Sequence, residues 1–275
     1  MKFMVGNKEV LFYGQAIAAV LAETHDQAKK AALLVQAKIE ELEAVVTVEQ
    51  ALEKKSFLDE PIVVSTGDSQ TAIKKAKNTL NGSLSIGGQE HYYLEGEVAI
   101  SIPTEDNEMV VHSSTQNPTE VQHLVAHVLD VPQNAIEVVT RRMGGGFGGK
   151  ETDSSQLARI CAIFSTRPLR PVKARLSRKD DILLTGKRHD FVAKYEVGYN
   201  DEGIIQGIEI DLAARCGYSL DLSKAIVSRA LFHADNTYFI PNATFKGFLC
   251  KTNTASNTAF RGFGGPQGML TIENI

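Results

Sequence analysis

Two pairs of stretches alternate apolar and polar residues around a turn-like cluster. Val98–Ile102 and Met109–Ser113 flank Thr104-Glu105-Asp106-Asn107, and Phe191–Tyr199 and Ile204–Ala213 flank Asn200-Asp201-Glu202-Gly203. A period of two predicts strands, because alternate side chains face opposite sides, and the polar clusters predict hairpin turns. Elsewhere the period lengthens. From His25, Ala28, Ala31, Ala32, Val35, Ile39 and Leu42 keep helical spacing as far as Leu42. Asn117-Pro118 opens a helix through about Leu129, since asparagine caps and proline is tolerated in the first turn. Thr152–Phe164 and Ser223–Phe232 read as further helices, the second with serine at its cap. Glu9–Leu21, broken at Gly14, together with Ala44–Val48 and Ile136–Thr140, reads as strand. Ser65–Ser83 is polar and weakly patterned, a linker. The fold class expected is α+β.

Composition narrows the function classes. The chain has 275 residues, 43% hydrophobic and 23% charged, enough apolar material for a real core in one large domain or two modest ones. A formal net charge of -4 argues against binding nucleic acid through phosphate neutralisation. Cys161, Cys216 and Cys250 form no CxxC pair, so neither a disulfide framework nor iron–sulfur or zinc ligation is expected. No apolar run approaches a membrane span, and Met1-Lys2-Phe3-Met4-Val5-Gly6 lacks a signal-peptide stretch. A cytoplasmic location is expected.

The most informative stretch is Gly144-Gly145-Gly146-Phe147-Gly148-Gly149-Lys150-Glu151, between a predicted strand and helix. Glycines there let backbone N–H groups turn inward and approach a ligand, and a helix N-terminus favours an anion. Gly144, Gly146 and Gly149 satisfy GxGxxG, but Lys173–Arg178 occupies the region where a dinucleotide site needs its acidic residue. Gly144 with Gly149-Lys150 satisfies most of a P-loop, yet Glu151 stands where Ser or Thr would hold magnesium. Its carboxylate would repel a triphosphate. A second loop, Asn257–Gly268, repeats the Phe-Gly-Gly element, and two such loops read as holding a bulky cofactor from two sides. Taken singly, Arg261 reads as a surface ion-pair residue, Phe263 as core, Glu151 as a helix N-terminal carboxylate and Arg229 as a solvated helix residue. His123 and His127, four apart on one helix, lack a third ligand and read as exposed. His91 is assigned no chemistry.

Several motifs in order resemble the molybdenum-cofactor subunit of xanthine dehydrogenases, in the xanthine dehydrogenase/aldehyde oxidase family. They are Gly88-Gln89-Glu90-His91-Tyr92-Tyr93-Leu94-Glu95, Ser114-Thr115-Gln116-Asn117, Arg142–Thr152, Arg229–His233, Cys250-Lys251-Thr252-Asn253 and Phe260–Gly268. The resemblance runs through nearly the whole chain. It implies a molybdenum–molybdopterin cofactor contacted by Gln116, Gly146, Phe147, Gly148 and Arg261, with Gln116, Phe147 and Arg261 around the metal, mostly through the cofactor. It makes Glu151, Arg229 and Phe263 substrate residues, with Glu151 and Arg229 also catalytic. Glutamate would bond N–H groups on one purine edge, arginine would stabilise charge building on a purine oxygen, and phenylalanine would stack. The aldehyde oxidase branch shares the glycine loops but usually lacks this Glu and Arg pair, which favours a purine.

The activity implied is oxidation of hypoxanthine and xanthine to urate with water as oxygen source. Electrons would pass through iron–sulfur and FAD centres on other domains or subunits to NAD, within an oligomer. The family's catalytic base is expected beyond Ile275, so the chain reads as a fragment, inactive alone. Residues 1–65 resemble the end of a hammerhead-like domain, 66–85 a linker, and 86–275 the first half of a molybdopterin-binding domain. A cofactor-free remnant acting as an interaction module is the alternative from another class.

Overall fold

The structure is a computed structural model that describes the backbone of Lys2–Val5 and all of residues 9–275. Met1 and residues 6–8, at the start of the expected hammerhead remnant, lie outside the described residues. The elements run β1 (Lys2–Val5), β2 (Ala18–Leu21), α1 (His25–Ala32), α2 (Val48–Glu53), β3 (Ile62–Thr66), α3 (Ser69–Lys75), β4 (Asn78–Ile86), β5 (Val98–Pro103) and β6 (Met109–Ser113). There follow α4 (Pro118–Leu129), β7 (Ile136–Val139), α5 (Ser154–Thr166), β8 (Val172–Arg175), α6 (Arg178–Leu184), β9 (Phe191–Tyr199), β10 (Ile205–Gly217), α7 (Ser223–Leu231), β11 (Ala243–Lys251) and α8 (Gly265–Glu273). Helices and sheets mix throughout. The chain divides into two units, one formed by the residues up to Glu43 with His91–Gly186, the other by Ala44–Glu90 with Lys187–Ile275.

The first unit is built on a four-stranded sheet ordered β7-β6-β5-β8. The expected β5–β6 hairpin closes with Ala99 opposite Ser113 and Pro103 opposite Met109. Its inward positions, Ala99, Met109 and Val111, join Val121 and Val125 of α4 and Ala158, Cys161 and Ala162 of α5 in one apolar core. α4 starts where the sequence placed it: the Asn117 side chain accepts the Glu120 N–H at 3.2 Å, ahead of Pro118.

The second unit is a five-stranded sheet ordered β3-β11-β10-β9-β4, with β10 and β11 parallel. Along β10, Leu212 and Ala214 belong to the cluster that contains Val227 and Leu231 of α7, while Ala213 between them joins Val48 and Ala51 of α2. This is the period of two acting across a sheet covered on both faces. Cys216 and Cys250 are free and buried here, as Cys161 is in the first unit.

Four expectations are corrected. The stretch at 66–85 is no bare linker, for it carries α3 and the nine-residue β4, which pairs along its length with β9. The helix from His25 stops at Ala32, although apolar spacing continues, and Leu33, Leu34, Ile39 and Leu42 are exposed. A short helix is sustained chiefly by packing of its apolar face, which these residues lack. Ala44–Val48 is not a strand; Thr47 and Gln50 form a capping box that starts α2. Ser223 lies inside α7 after a Leu222 cap, and its buried hydroxyl bonds His189 Nε2 at 2.7 Å instead of capping the helix.

Candidate functional site

In the first unit, the segment after β7 turns back as the glycine loop before α5, and its conformation explains the glycines. Phe147 sits at φ +55° and Gly148 at φ +101°. A left-handed bulky residue costs energy and persists only where neighbours enforce it. A Cβ on Gly146 would lie 2.5 Å from Gln116 Oε1, and one on Gly149 would lie 2.7 Å from the His91 ring, so the loop closes only without side chains there. Gln116 reaches into the loop and accepts the N–H groups of Gly148 at 2.8 Å and Lys150 at 3.3 Å. Its carbonyl is thereby used, and its amide Nε2 bonds no acceptor among the described residues. Phe147 projects half-exposed beside it, and Glu151 follows, partly buried. Gln116, Gly146, Phe147, Gly148 and Glu151 thus share one loop system.

Underneath lies a feature that the residue pattern did not disclose. Lys150, which made the loop resemble a P-loop, is fully buried and cannot reach a phosphate. Its ammonium donates to the Glu95 carbonyl at 2.6 Å and to Ser114 Oγ at 2.7 Å, sits 3.6 Å from the Glu95 carboxylate and lies over the Tyr93 ring at 4.6 Å. Glu95 in turn accepts the Gly144 N–H at 2.7 Å and the Ser114 hydroxyl at 2.9 Å. One ion pair therefore holds both ends of the loop. Burial alone would raise the Glu95 pKa, but the Gly144 N–H, Ser114 and Lys150 outweigh it and hold the carboxyl below its usual value. Burial lowers the Lys150 pKa, opposed by Glu97 and Glu95. Burial, reinforced by Asp153, raises the Glu97 carboxyl well above its ordinary value. Asp181 accepts the Tyr93 hydroxyl at 2.7 Å and the Glu97 backbone N–H at 2.8 Å, fixing the rear of the cluster.

In the second unit, the Phe260–Gly268 loop leads into α8 and repeats the geometry. Phe263 is left-handed at φ +49°, followed by Gly264 at φ +88°. A Cβ on Gly264 would meet the Ile226 carbonyl at 2.1 Å, and one on Gly268 the Ala230 carbonyl at 2.1 Å. The loop and α8 therefore lie directly on α7, beside the turn that carries Arg229. Arg229 and Arg261 are exposed and Phe263 partly so. The Arg261 guanidinium makes no hydrogen bond among the described residues.

These residues fit the implied cofactor. In the first unit the glycine loop leaves room for close approach to its backbone and Gln116 offers an uncharged donor; in the second, exposed Arg261 is a cation of the kind that would pair with an anionic dithiolene or phosphate. His123 and His127 are exposed on α4, and no metal-binding group of three His, Cys, Asp or Glu occurs among the described residues. No described helix is long and apolar enough to cross a membrane.

Comparison with known proteins follows the same line. The model of the molybdopterin cofactor-binding domain matches residues 53–275. A xanthine dehydrogenase from Dictyostelium discoideum is 44% identical over 267 residues, covering 97% of this chain and 20% of that protein. A xanthine dehydrogenase/oxidase from Gallus gallus is 43% identical over 277 residues, covering 98% and 20%. The chain thus spans about a fifth of the length of these curated relatives. Among solved structures, the aldehyde oxidoreductase from Desulfovibrio gigas superposes with a TM-score of 0.88 at 24% identity, covering 98% of this chain and 30% of that one. A reconstituted CO dehydrogenase from Oligotropha carboxidovorans gives 0.85 at 21% identity, covering 98% and 37%. At such identities these two speak for the fold alone. With residues 53–275 matched by one domain model, the chain belongs to the molybdopterin cofactor-binding domain family.

Proposed function

We propose that the intact protein is a molybdenum hydroxylase that oxidises hypoxanthine and xanthine to urate, and that this chain supplies part of its cofactor and substrate sites. The molybdenum centre, when bound, supplies the two-electron oxidation, with water as the oxygen source. Gln116 donates an N–H to the cofactor, the Phe147 loop brings backbone close to it, and Arg261 neutralises its anionic side. Glu151 accepts N–H groups from one purine edge, Arg229 stabilises negative charge on a purine oxygen, and Phe263 stacks on the ring. Iron–sulfur and FAD centres on other domains or subunits would carry the electrons onward to NAD.

The observation that carries the purine reading is that a carboxylate and a guanidinium each stand beside a left-handed Phe-Gly element. Glu151 closes the Phe147 loop, and Arg229 sits on α7 where the Phe263 loop rests. An aldehyde has no second edge for such a pair. The test is urate formation from xanthine by the intact protein with its electron-transfer partners, beside Glu151→Ala and an aldehyde substrate. Urate from the parent and a loss of about a hundredfold in the variant are expected, the size of a lost transition-state contact. Aldehyde oxidation without urate, at full molybdenum content, would overturn the substrate assignment.

A further inference from the structure

Arg188 carries no role in the reading above, yet it is 9% exposed and its guanidinium is engaged on three sides. Nε donates to Gln89 Oε1 at 2.6 Å, and Nη2 donates to the Arg261 carbonyl at 2.7 Å. One face of the group lies over the Phe260 ring, with Cζ 3.9 Å from the ring centroid. The Arg188 backbone N–H also donates to the Gln89 carbonyl at 2.9 Å, so Gln89 fixes both its main chain and its side chain. Nη1 is buried with no hydrogen-bond partner among the described residues, and a Cβ on Gly262 would lie 3.9 Å from it.

Both acceptors are neutral. The nearby carboxylate of Asp190 is bonded by Arg215 Nε at 2.7 Å. A cation buried without a counter-ion is costly, and burial lowers its pKa, although a guanidinium keeps its proton. Such a group is hard to explain as packing alone, because an apolar side chain would fill the space at less cost. What only arginine supplies is the planar fork. It grips one acceptor on each side and stacks on an aromatic ring at the same time.

We propose that Arg188 is a positioning residue that sets the Phe260–Phe263 loop, and through it the outward presentation of Arg261 and Phe263. The roles of those two residues rest on the function proposed above; the positioning does not. The loop's far side is already held by Gly264 on α7, and the Phe263 N–H closes a turn on the Phe260 carbonyl at 2.7 Å. Arg188 holds the near side, at the ring and carbonyl just before that turn. Lysine keeps the charge but offers one compact head, which cannot bridge Gln89 to Arg261 while stacking on Phe260.

The test uses the intact, cofactor-loaded protein with Arg188→Lys, Arg188→Met and the milder Gln89→Ala, which removes only the outer strut. Three readouts are taken: hydrogen exchange of the 259–264 amides, molybdenum content, and KM and kcat for xanthine per molybdenum. Both Arg188 variants should speed exchange of 259–264 by about tenfold or more, leaving β9 to β11 unchanged, with Gln89→Ala in between. Molybdenum content should fall, and KM should rise by about tenfold, more than kcat falls, because a displaced stacking ring weakens binding. If Arg188→Lys restores parental exchange and KM, charge alone suffices and the proposal fails. It fails equally if exchange at 259–264 stays at the parental rate in all three, and Gln89→Ala decides the matter should the Arg188 variants not fold. Faster exchange in a parent that makes no urate would leave the positioning standing and overturn only the substrate reading.

Discussion

The Glu95–Lys150 pair offers the sharpest quantitative test, because one partner is sealed from water and the other is not. The side chain of Lys150 is 0% exposed and that of Glu95 38%, with 3.6 Å between ammonium and carboxylate. At an effective dielectric of about 20, that separation corresponds to about 4.6 kcal/mol of attraction. Solvent reaches the Glu95 side, so roughly half of this survives, a coupling of about 2 kcal/mol. Glu95→Gln keeps an oxygen for the Gly144 and Ser114 donors but leaves the ammonium buried without its counter-charge. Lys150→Met removes the cation at similar volume. Each single variant should loosen the glycine loop. The double variant should cost about 2 kcal/mol less than the sum, because no unpaired charge is left inside. Hydrogen exchange of the Gly148 and Lys150 amides reads the local opening directly, and the coupling appears there as about a 30-fold difference in opening constant. Costs that add to within about 0.5 kcal/mol would show that the two residues act independently and would refute the latch.

Three further outcomes are expected. Gly146→Ala places a methyl 2.5 Å from Gln116 Oε1 and should displace that amide from the Gly148 and Lys150 N–H groups. Pterin and molybdenum content of the intact protein should fall about tenfold, while the melting temperature moves only by a few degrees. Gly268→Ala should destabilise the second unit by about 2 kcal/mol in urea unfolding, since overpacking against the Ala230 carbonyl exceeds the helix-propensity gain; a stabilised variant would contradict the contact. Burial, with Arg215 adding to it, lowers the His189 pKa from 6.5 to about 3, so between these values the unfolded chain binds a proton that the folded chain excludes. Stability is therefore intact above pH 6.5 and falls as the pH drops toward 3, by up to about 1.4 kcal/mol per unit. The difference between parent and His189→Gln, measured across that range, should carry this slope; parallel profiles would exclude it.

How much of this was legible depended on whether the signal was local. The β5–β6 and β9–β10 hairpins showed themselves because the alternating strands and their turn residues follow one another directly along the chain. The cap of α4 was legible for the same reason. β4 was not, since it is an edge strand that buries little apart from Ile86, and its Asn and Ser positions imitate a loop. The capping box Thr47-Val48-Glu49-Gln50 was a readable start for α2, outweighed by the apolar run before it. At the site, the Phe-Gly-Gly elements advertised two loops, but their supports lie far off in sequence. Lys150 meets the Glu95 carbonyl across 55 positions, and Arg188 meets Arg261 across 73. Nothing in local spacing records such a partnership. A lysine beside glycines looks like a phosphate ligand until its burial is known.

The three free cysteines have a practical consequence. Burial raises each thiol to about 12, so almost no thiolate exists at neutral pH and the folded chain should ignore alkylating reagents. Reaction then requires opening, and the cysteines are distributed unequally: Cys161 in the first unit, Cys216 and Cys250 in the second. Mass spectrometry of a pulse-alkylated sample would therefore carry a two-channel clock. One adduct at Cys161 times the loosening of the sheet behind the Phe147 loop. Adducts at the other two time the sheet behind the Phe263 loop, and the order in which the masses appear tells which of the two units opens first.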